Sequence, residues 1–296
     1  IKALRRCTLK IAPDVAIGFM HSMFIPLSYA LIGTGIPVIA SEHIVPKHYK
    51  TRPLQALLLS VTPLFVRKIT CVSNQVLQSY PSFLRKKMVS ISNPISVFSE
   101  QKACVLGGSS DKKTLLTVGR LEAQKNHKVL IDAFAQISSK VPDWELRIVG
   151  EGSKHISLLR QVKKYGLCDR IIFTGSIKNI SKEYIASQLF VLPSDYESFG
   201  LTILEANAHG LPVVGFDDCQ GVNELIQHNI SGVLVHGGSN RSGSLASSLL
   251  KLMQNDQMRL QLSNNVDGAL AEFRIEHVLH KWNNVISDVI AEKECI

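Results

Sequence analysis

No two cysteines of this chain stand close together. Cys7, Cys71, Cys104, Cys168, Cys219 and Cys295 are scattered singly. That excludes a disulfide scaffold or a short-spaced zinc site and suits reduced thiols in a cytoplasm. No Gly-x-Gly-x-x-Gly follows an apolar strand pattern, which speaks against a dinucleotide oxidoreductase. No basic segment is interleaved with aromatics, which speaks against a nucleic-acid partner. The opening residues lack a secretory signal pattern. Acidic residues are scarce early in the chain: residues 1–102 carry 13 Lys or Arg against three Asp or Glu, while residues 103–296 carry 20 against 21. A basic first part and a near-neutral second part imply different partners.

Charge is absent altogether from Val15 to Ala40, a length that would span a bilayer. Pro26, Gly33, Gly35 and Pro37 divide it into pieces of strand, helix and strand length, so it reads as a buried βαβ unit: a strand over 14–20, a helix over 26–32 and a strand over 36–40. The apolar segment 54–66 is too short to span and contains Pro63.

The most informative stretch is 189–217. Leu189-Phe-Val-Leu-Pro193 reads as a buried parallel strand, followed by a polar loop over 194–199. A helix follows, with Leu201, Ile203, Leu204 and Ala208 on or near its apolar stripe. Gly210-Leu-Pro212 stops it, and a further strand starts at Val213. The loop therefore lies at the carboxyl end of a strand, where open parallel sheets place ligands. Glu197 sits in the loop and Glu205 about one turn into the helix. The amides of Phe199, Gly200 and Leu201 are among the helix's first donors and suit an anion such as a diphosphate. Carboxylates beside them accept hydrogen bonds from sugar hydroxyls. Spacing alone leaves open a surface Glu and a solvated helix Glu.

Glu197-Ser198-Phe199-Gly200-Leu201 through Glu205, followed by Ala-His-Gly-Leu-Pro-Val-Val-Gly, resembles the paired-glutamate motif of retaining glycosyltransferases of the GT-B fold, family 4 (glycosyl transferases group 1). The likeness runs over about residues 12–236, with several motifs in order. It implies an α/β fold of two Rossmann-like, doubly wound parallel-sheet domains facing a cleft. The expected division is a partial acceptor-side domain over 1–98, a linker over 99–113, a nucleotide-sugar domain over 114–270, and a terminal helix over 271–296 that crosses back to the first domain.

Within that second domain, 114–119 reads as a strand, 127–141 as an amphipathic helix and 144–150 as the next strand. Arg120 and Lys125 share the exit loop of the first strand and could neutralise a diphosphate, Arg as a fork and Lys as a point charge. The resemblance makes Gly119-Arg-Leu…Lys125-Asn126 the donor-phosphate loop. It also implies that Ile177, past the strand 170–175, contacts the nucleobase through its backbone. After the central motif, 222–226 reads as a helix start, 231–235 as the last strand, 237–244 as a loop, and 245–253 and 257–262 as helices.

In the first domain the resemblance assigns His43, at the end of the Ile36–Ala40 strand, to contact with the donor sugar and support of catalysis. His21 is a weaker candidate nearer an acceptor, and His48 a surface residue. The implied roles make Glu197 and His43 catalytic and Glu205 a ribose acceptor. Ser198 and the 199–201 amides lie on the donor, and no metal ligand or cofactor is called for beyond a UDP- or GDP-sugar substrate. Partners would be that donor, a glycan or lipid-linked acceptor, and an anionic membrane surface on which a cytoplasmic enzyme sits peripherally.

The segment after Gly215 is similar to enzymes of bacterial surface polysaccharide and lipopolysaccharide synthesis. One departure stands out: the family's opening strand and Gly-rich loop find no match, so the first domain is expected to be N-terminally incomplete, with an orphaned sheet edge near 14–20 prone to association. An inactive nucleotide-sugar-binding remnant and a sugar-nucleotide epimerase are the alternatives.

Overall fold

The computed structural model describes residues 1–95, 101–107 and 112–294. The chain divides into two compact units, one made of 1–94 with 273–296 and the other of 95–272.

The first unit opens with helix α1 (Lys2–Ile11), then β1 (Ala16–Phe19), α2 (His21–Ala30) and β2 (Val38–Glu42). Next come α3 (Pro53–Val61), β3 (Lys68–Cys71), α4 (Asn74–Ser79), α5 (Ser82–Arg85) and β4 (Met88–Ser90). The four strands form one parallel sheet in the order β1-β2-β3-β4. β2 is buried along its whole length, as expected for a central parallel strand.

The charge-free stretch is thus β1, α2 and β2. Among the described residues no helix is long and apolar enough to cross a membrane. α2 begins at His21 rather than at Pro26, which lies inside it. The carbonyl that Pro26 cannot bond belongs to Ser22, an exposed residue whose carbonyl water can serve, so the break expected at Pro26 does not occur.

The second unit contains β5 (Lys113–Val118), α6 (His127–Ile137), β6 (Trp144–Val149), α7 (His155–Lys164), β7 (Ile171–Gly175) and α8 (Ser181–Ala186). Then follow β8 (Leu189–Leu192), α9 (Leu201–Ala208), β9 (Val213–Phe216), β10 (Gly232–Val235), α10 (Arg241–Met253), α11 (Asp256–Asn264) and α12 (Val266–Ala269). Its six parallel strands run in the order β10-β9-β8-β5-β6-β7. The chain builds outward from β5 through β6 and β7, then returns to the other side of β5 with β8. The sheet's topological switch point therefore lies between β5 and β8.

Two further local expectations are corrected. The segment 222–226 forms turns, not a helix start. Val222 and Ile226 press onto Gly215, where an added Cβ would lie 2.5 and 2.9 Å from them, and this packing draws the backbone off a helical path. α10 starts at Arg241, inside the stretch read as loop, because the Asn240 side chain caps it by accepting from the Gly243 amide at 3.2 Å. Part of the expected linker (99, 100 and 108–111) lies outside the described residues. Ala103 and Val105, within it, are buried in the second unit. The Ala103 amide donates to the His209 carbonyl at 2.7 Å.

The last helix, α13 (Ile275–Glu294), belongs to the first unit. Val278, Val285 and Val289 join Ile39 and Ile91 in one buried cluster, with Trp282 and Ile286 packed against it. Its apolar face is core.

Candidate functional site

The fork between β5 and β8 is closed by two loops, 119–126 and 193–200, laced together by polar contacts. The Asp195 amide donates to the Gln124 carbonyl at 2.9 Å, and Gln124 Nε2 donates to the Tyr196 carbonyl at 2.7 Å. Asn126 Nδ2 donates to Asp195 Oδ1 at 2.7 Å. Asn126 takes a left-handed conformation at φ 48°, one that Asn tolerates better than most residues, and so turns the loop into α6.

At the centre of this lacing Lys125 Nζ meets Glu197 Oε1 at 2.6 Å, and Ser194 Oγ donates to the same oxygen at 2.6 Å. The Lys125 and Glu197 side chains keep only 14% and 10% of their surface exposed. In a pair this shielded neither partner can be lost cheaply, because the other would stay behind as an uncompensated charge. Gly119 makes room for the lysine stem: a Cβ there would touch Lys125 Cδ and Cε at 3.4 Å. Behind Glu197 its own amide donates to the Gln220 carbonyl at 3.0 Å. Gly221, at φ 76°, lies so close that a Cβ would come within 2.5 Å of the Glu197 carbonyl oxygen.

Phe199 is buried, and Gly200, at φ 62°, turns the chain into α9. The amides of Gly200 and Leu201 find no intrachain acceptor among the described residues. Ser198 is half-buried in the loop. Glu205 stands on α9 with Oε2 accepting from the Tyr184 hydroxyl at 2.8 Å. Tyr184 is fully buried and stacks on His209 at 5.0 Å, and the His209 Nδ1 lies 2.7 Å from the Glu205 carbonyl oxygen. Tyr184 on α8 thus fixes one carboxylate oxygen of Glu205.

The structure brings Lys125 and Glu197 together, with the start of α9 on the same loop. It does not bring Arg120 or Glu205 into contact with that pair. Arg120 is exposed, its charge felt by Glu122, and Glu205 is bound to Tyr184 instead. Ile177 follows β7, two strands along from β5, and is half-buried. Ser194, Asp195 and Tyr184 escaped the sequence reading. The first two stood in plain sight as polar residues ending a buried strand, whereas Tyr184 reaches Glu205 only through tertiary packing. His127, at the start of α6, is buried. Burial, then the Lys125 charge, lowers its pKa to about 4, so it is neutral at neutral pH.

In the first unit His43 follows β2 and is half-buried, with its ring 5.8 Å from that of Phe19. The Thr70 hydroxyl donates to Ser41 Oγ at 2.9 Å, and Ser41 Oγ lies 3.0 Å from His43 Nε2. Burial lowers the His43 pKa and keeps the ring neutral.

The neighbouring Glu42 is 1% exposed. It accepts from the Tyr49 hydroxyl at 2.7 Å and from the Ile44 amide at 2.9 Å. Burial pushes its pKa up to about 7, against the lowering effect of those bonds. A carboxyl raised on folding contributes stability that is full below its unfolded value near 4.5 and lost as pH rises through about 7. We expect the first unit to weaken by about 3 kcal/mol between pH 4.5 and pH 8 on this account, and Glu42→Gln to flatten the profile. Urea midpoints followed across that range check it; an equal slope in wild type and variant would contradict the assignment.

Two parallel α/β units in one chain, the second with a shielded lysine, a carboxylate and an open helix start at its switch point, fit the GT-B class. Solved structures bear out the fold: Anabaena HepE, crystallised with UDP and glucose, superposes with a TM-score of 0.83 at 20% identity, over 96% of this chain and 81% of that one. Residues 100–268 match glycosyl transferases group 1, and the chain belongs to that family. An uncharacterized glycosyltransferase of Haemophilus influenzae is 26% identical over 96% of this chain and 79% of its own length. A Campylobacter jejuni α-1,4-N-acetyl-D-galactosaminyltransferase, named for an undecaprenol-diphosphate-linked acceptor, is 26% identical over 97% of this chain and 78% of its own.

Proposed function

We propose that the chain transfers a sugar from a nucleotide diphosphate sugar to a glycan or lipid-linked acceptor in surface polysaccharide synthesis, with retention of anomeric configuration. The observation that carries this is the Lys125–Glu197–Ser194 cluster at the switch point. Lys125 supplies positive charge where the leaving diphosphate develops its own, and the Gly200 and Leu201 amides supply further donors. In the donor complex a phosphate competes with Glu197 for the lysine, which frees Glu197 to accept from sugar hydroxyls. Arg120, exposed and on the same loop, folds in as the second cation. Glu205, clamped by Tyr184, presents its other oxygen to the ribose, and Ile177 takes the base through its backbone. His43 is the first unit's contribution to the reaction. The basic first unit suits a phosphate-bearing acceptor and an anionic membrane surface, with the enzyme peripheral on the cytoplasmic side. The undecaprenol-linked acceptor in the Campylobacter relative's name supports an acceptor of that class.

A panel of nucleotide sugars read by thermal shift tests the donor assignment: at least one UDP- or GDP-linked sugar raises the melting temperature, and none doing so would refute it. Product anomers read by NMR test retention. Nucleotide release that added acceptor leaves unchanged would point to epimerisation instead. Tyr184→Phe is expected to raise the donor KM roughly tenfold with kcat nearly unchanged, because a hydrogen bond to a charged group is worth about 1.5 kcal/mol. An unaltered KM would remove Tyr184 from the positioning of Glu205.

A further inference from the structure

Outside the switch point, basic groups gather at one place in the first unit without a counter-ion. His21 opens α2. His48 lies on the 3-10 turn Pro46–Thr51, and Arg52 follows that turn directly. The His21 and His48 ring centroids are 5.9 Å apart, and both rings pack against Tyr49, at 5.4 and 5.5 Å. Arg52 Nη1 lies 3.0 Å from His48 Nδ1 and 2.8 Å from Nε2, capping that ring with positive charge. Among the described residues no carboxylate forms an ion pair with Arg52, His21 or His48. Glu42 is buried, and its carboxylate accepts from the Tyr49 hydroxyl rather than from the imidazoles.

We propose that His21, His48 and Arg52 form a binding site for a phosphate or diphosphate group. Arg52 carries a charge that no carboxylate of the described residues pairs, and an anion from outside the chain both pairs it and favours protonation of the two imidazoles beside it. Arg presents a fork that matches phosphate oxygens, and imidazoles donate once protonated. His21 Nδ1 is buried and has no partner. The amides of His21 and Ser22, first in a ten-residue helix, likewise find no intrachain acceptor among the described residues. The site sits at the carboxyl ends of β1 and β2, where a parallel sheet receives ligands. It deepens the acceptor part of the reading above and rests on it only for the identity of the molecule that bears the phosphate.

The charge state adds a signature. Burial, then Arg52, lowers the His21 pKa; burial, then Arg52 and His21, lowers that of His48. The groups facing them are each other, Arg52, Tyr49 and, bonded to its hydroxyl, Glu42. Both rings are therefore neutral at pH 7 in the free chain, and a bound polyanion raises both values, so binding takes up protons.

Inorganic pyrophosphate titrated into the full chain, with the histidine Cε1–Hε1 resonances followed by NMR and assigned through His21→Gln and His48→Gln, tests the site. Both resonances move saturably toward imidazolium positions, and calorimetry in buffers of different ionisation enthalpy shows proton uptake. Arg52→Gln, an exposed position, weakens the response about tenfold while the melting temperature and the shift given by a nucleotide sugar stay as in wild type.

Acidic phosphatidylglycerol vesicles that move the same resonances identify a lipid headgroup. Vesicles without effect, with pyrophosphate still bound, identify a soluble phosphate ester. If pyrophosphate leaves both resonances in place, or binds Arg52→Gln as tightly as wild type, the site is refuted. A nucleotide sugar that still stabilises the chain in that experiment shows that the donor reading survives.

Discussion

Lys125→Ala is expected to abolish stabilisation by any nucleotide sugar and to lower kcat/KM by roughly 10²–10³, the loss that follows removal of one preorganised charge-stabilising donor. It should also cost about 3 kcal/mol of stability, because Glu197 stays behind as a shielded carboxylate with only the Ser194 hydroxyl and no counter-charge. The two effects separate in a double variant. Lys125→Met with Glu197→Gln replaces the ion pair by neutral side chains of similar size, so the urea midpoint should recover while activity stays low. Recovery of both would reduce Lys125 to a structural strut. Wild-type donor affinity in Lys125→Ala would end the phosphate role outright.

The second large effect lies away from the chemistry. Arg259 is fully buried, and its guanidinium donates to the carbonyls of Val105 at 2.9 Å, Leu252 at 2.7 Å and Met253 at 2.9 Å, and to the Asp256 carboxylate. It also lies 5.1 Å from the ring centre of Trp144, which is itself buried. Arg259→Leu fills some of the volume and satisfies none of these acceptors, so the second unit should lose about 4 kcal/mol. Trp144 fluorescence during urea unfolding, in a Trp282→Phe background so that one indole reports, measures it. A change under about 1 kcal/mol would mean that water replaces the guanidinium freely.

The strands and the paired-glutamate loop were legible because their signals are local. Leu189 to Leu192 is an uninterrupted apolar run, and a strand buried on both faces needs one. Gly210 and Pro212 stop α9 by backbone chemistry alone. The misreadings also have local causes. In the sequence Pro26 reads as a helix start, since nothing there shows that Ser22, whose carbonyl Pro26 leaves unbonded, is exposed. The glycines and serines near 240 hid a cap that one asparagine side chain provides. Residues 222–226 carry a helix-like pattern, but the Val222 and Ile226 side chains pack onto Gly215 and Gly221 lies against the Glu197 backbone, and the segment forms turns.

The sequence by itself determined the family, the parallel α/β character of both units, and the residue types on the two exit loops, since periodicity and glycine placement act over a few residues. Only the tertiary structure decided partnership. It paired Lys125 with Glu197 across 72 positions, gave Glu205 to Tyr184 rather than to the cations, left Arg120 in solvent, and set His21, His48 and Arg52 side by side. Strand order brings distant loops together, and strand order is chosen by which apolar faces the whole sheet can bury at once.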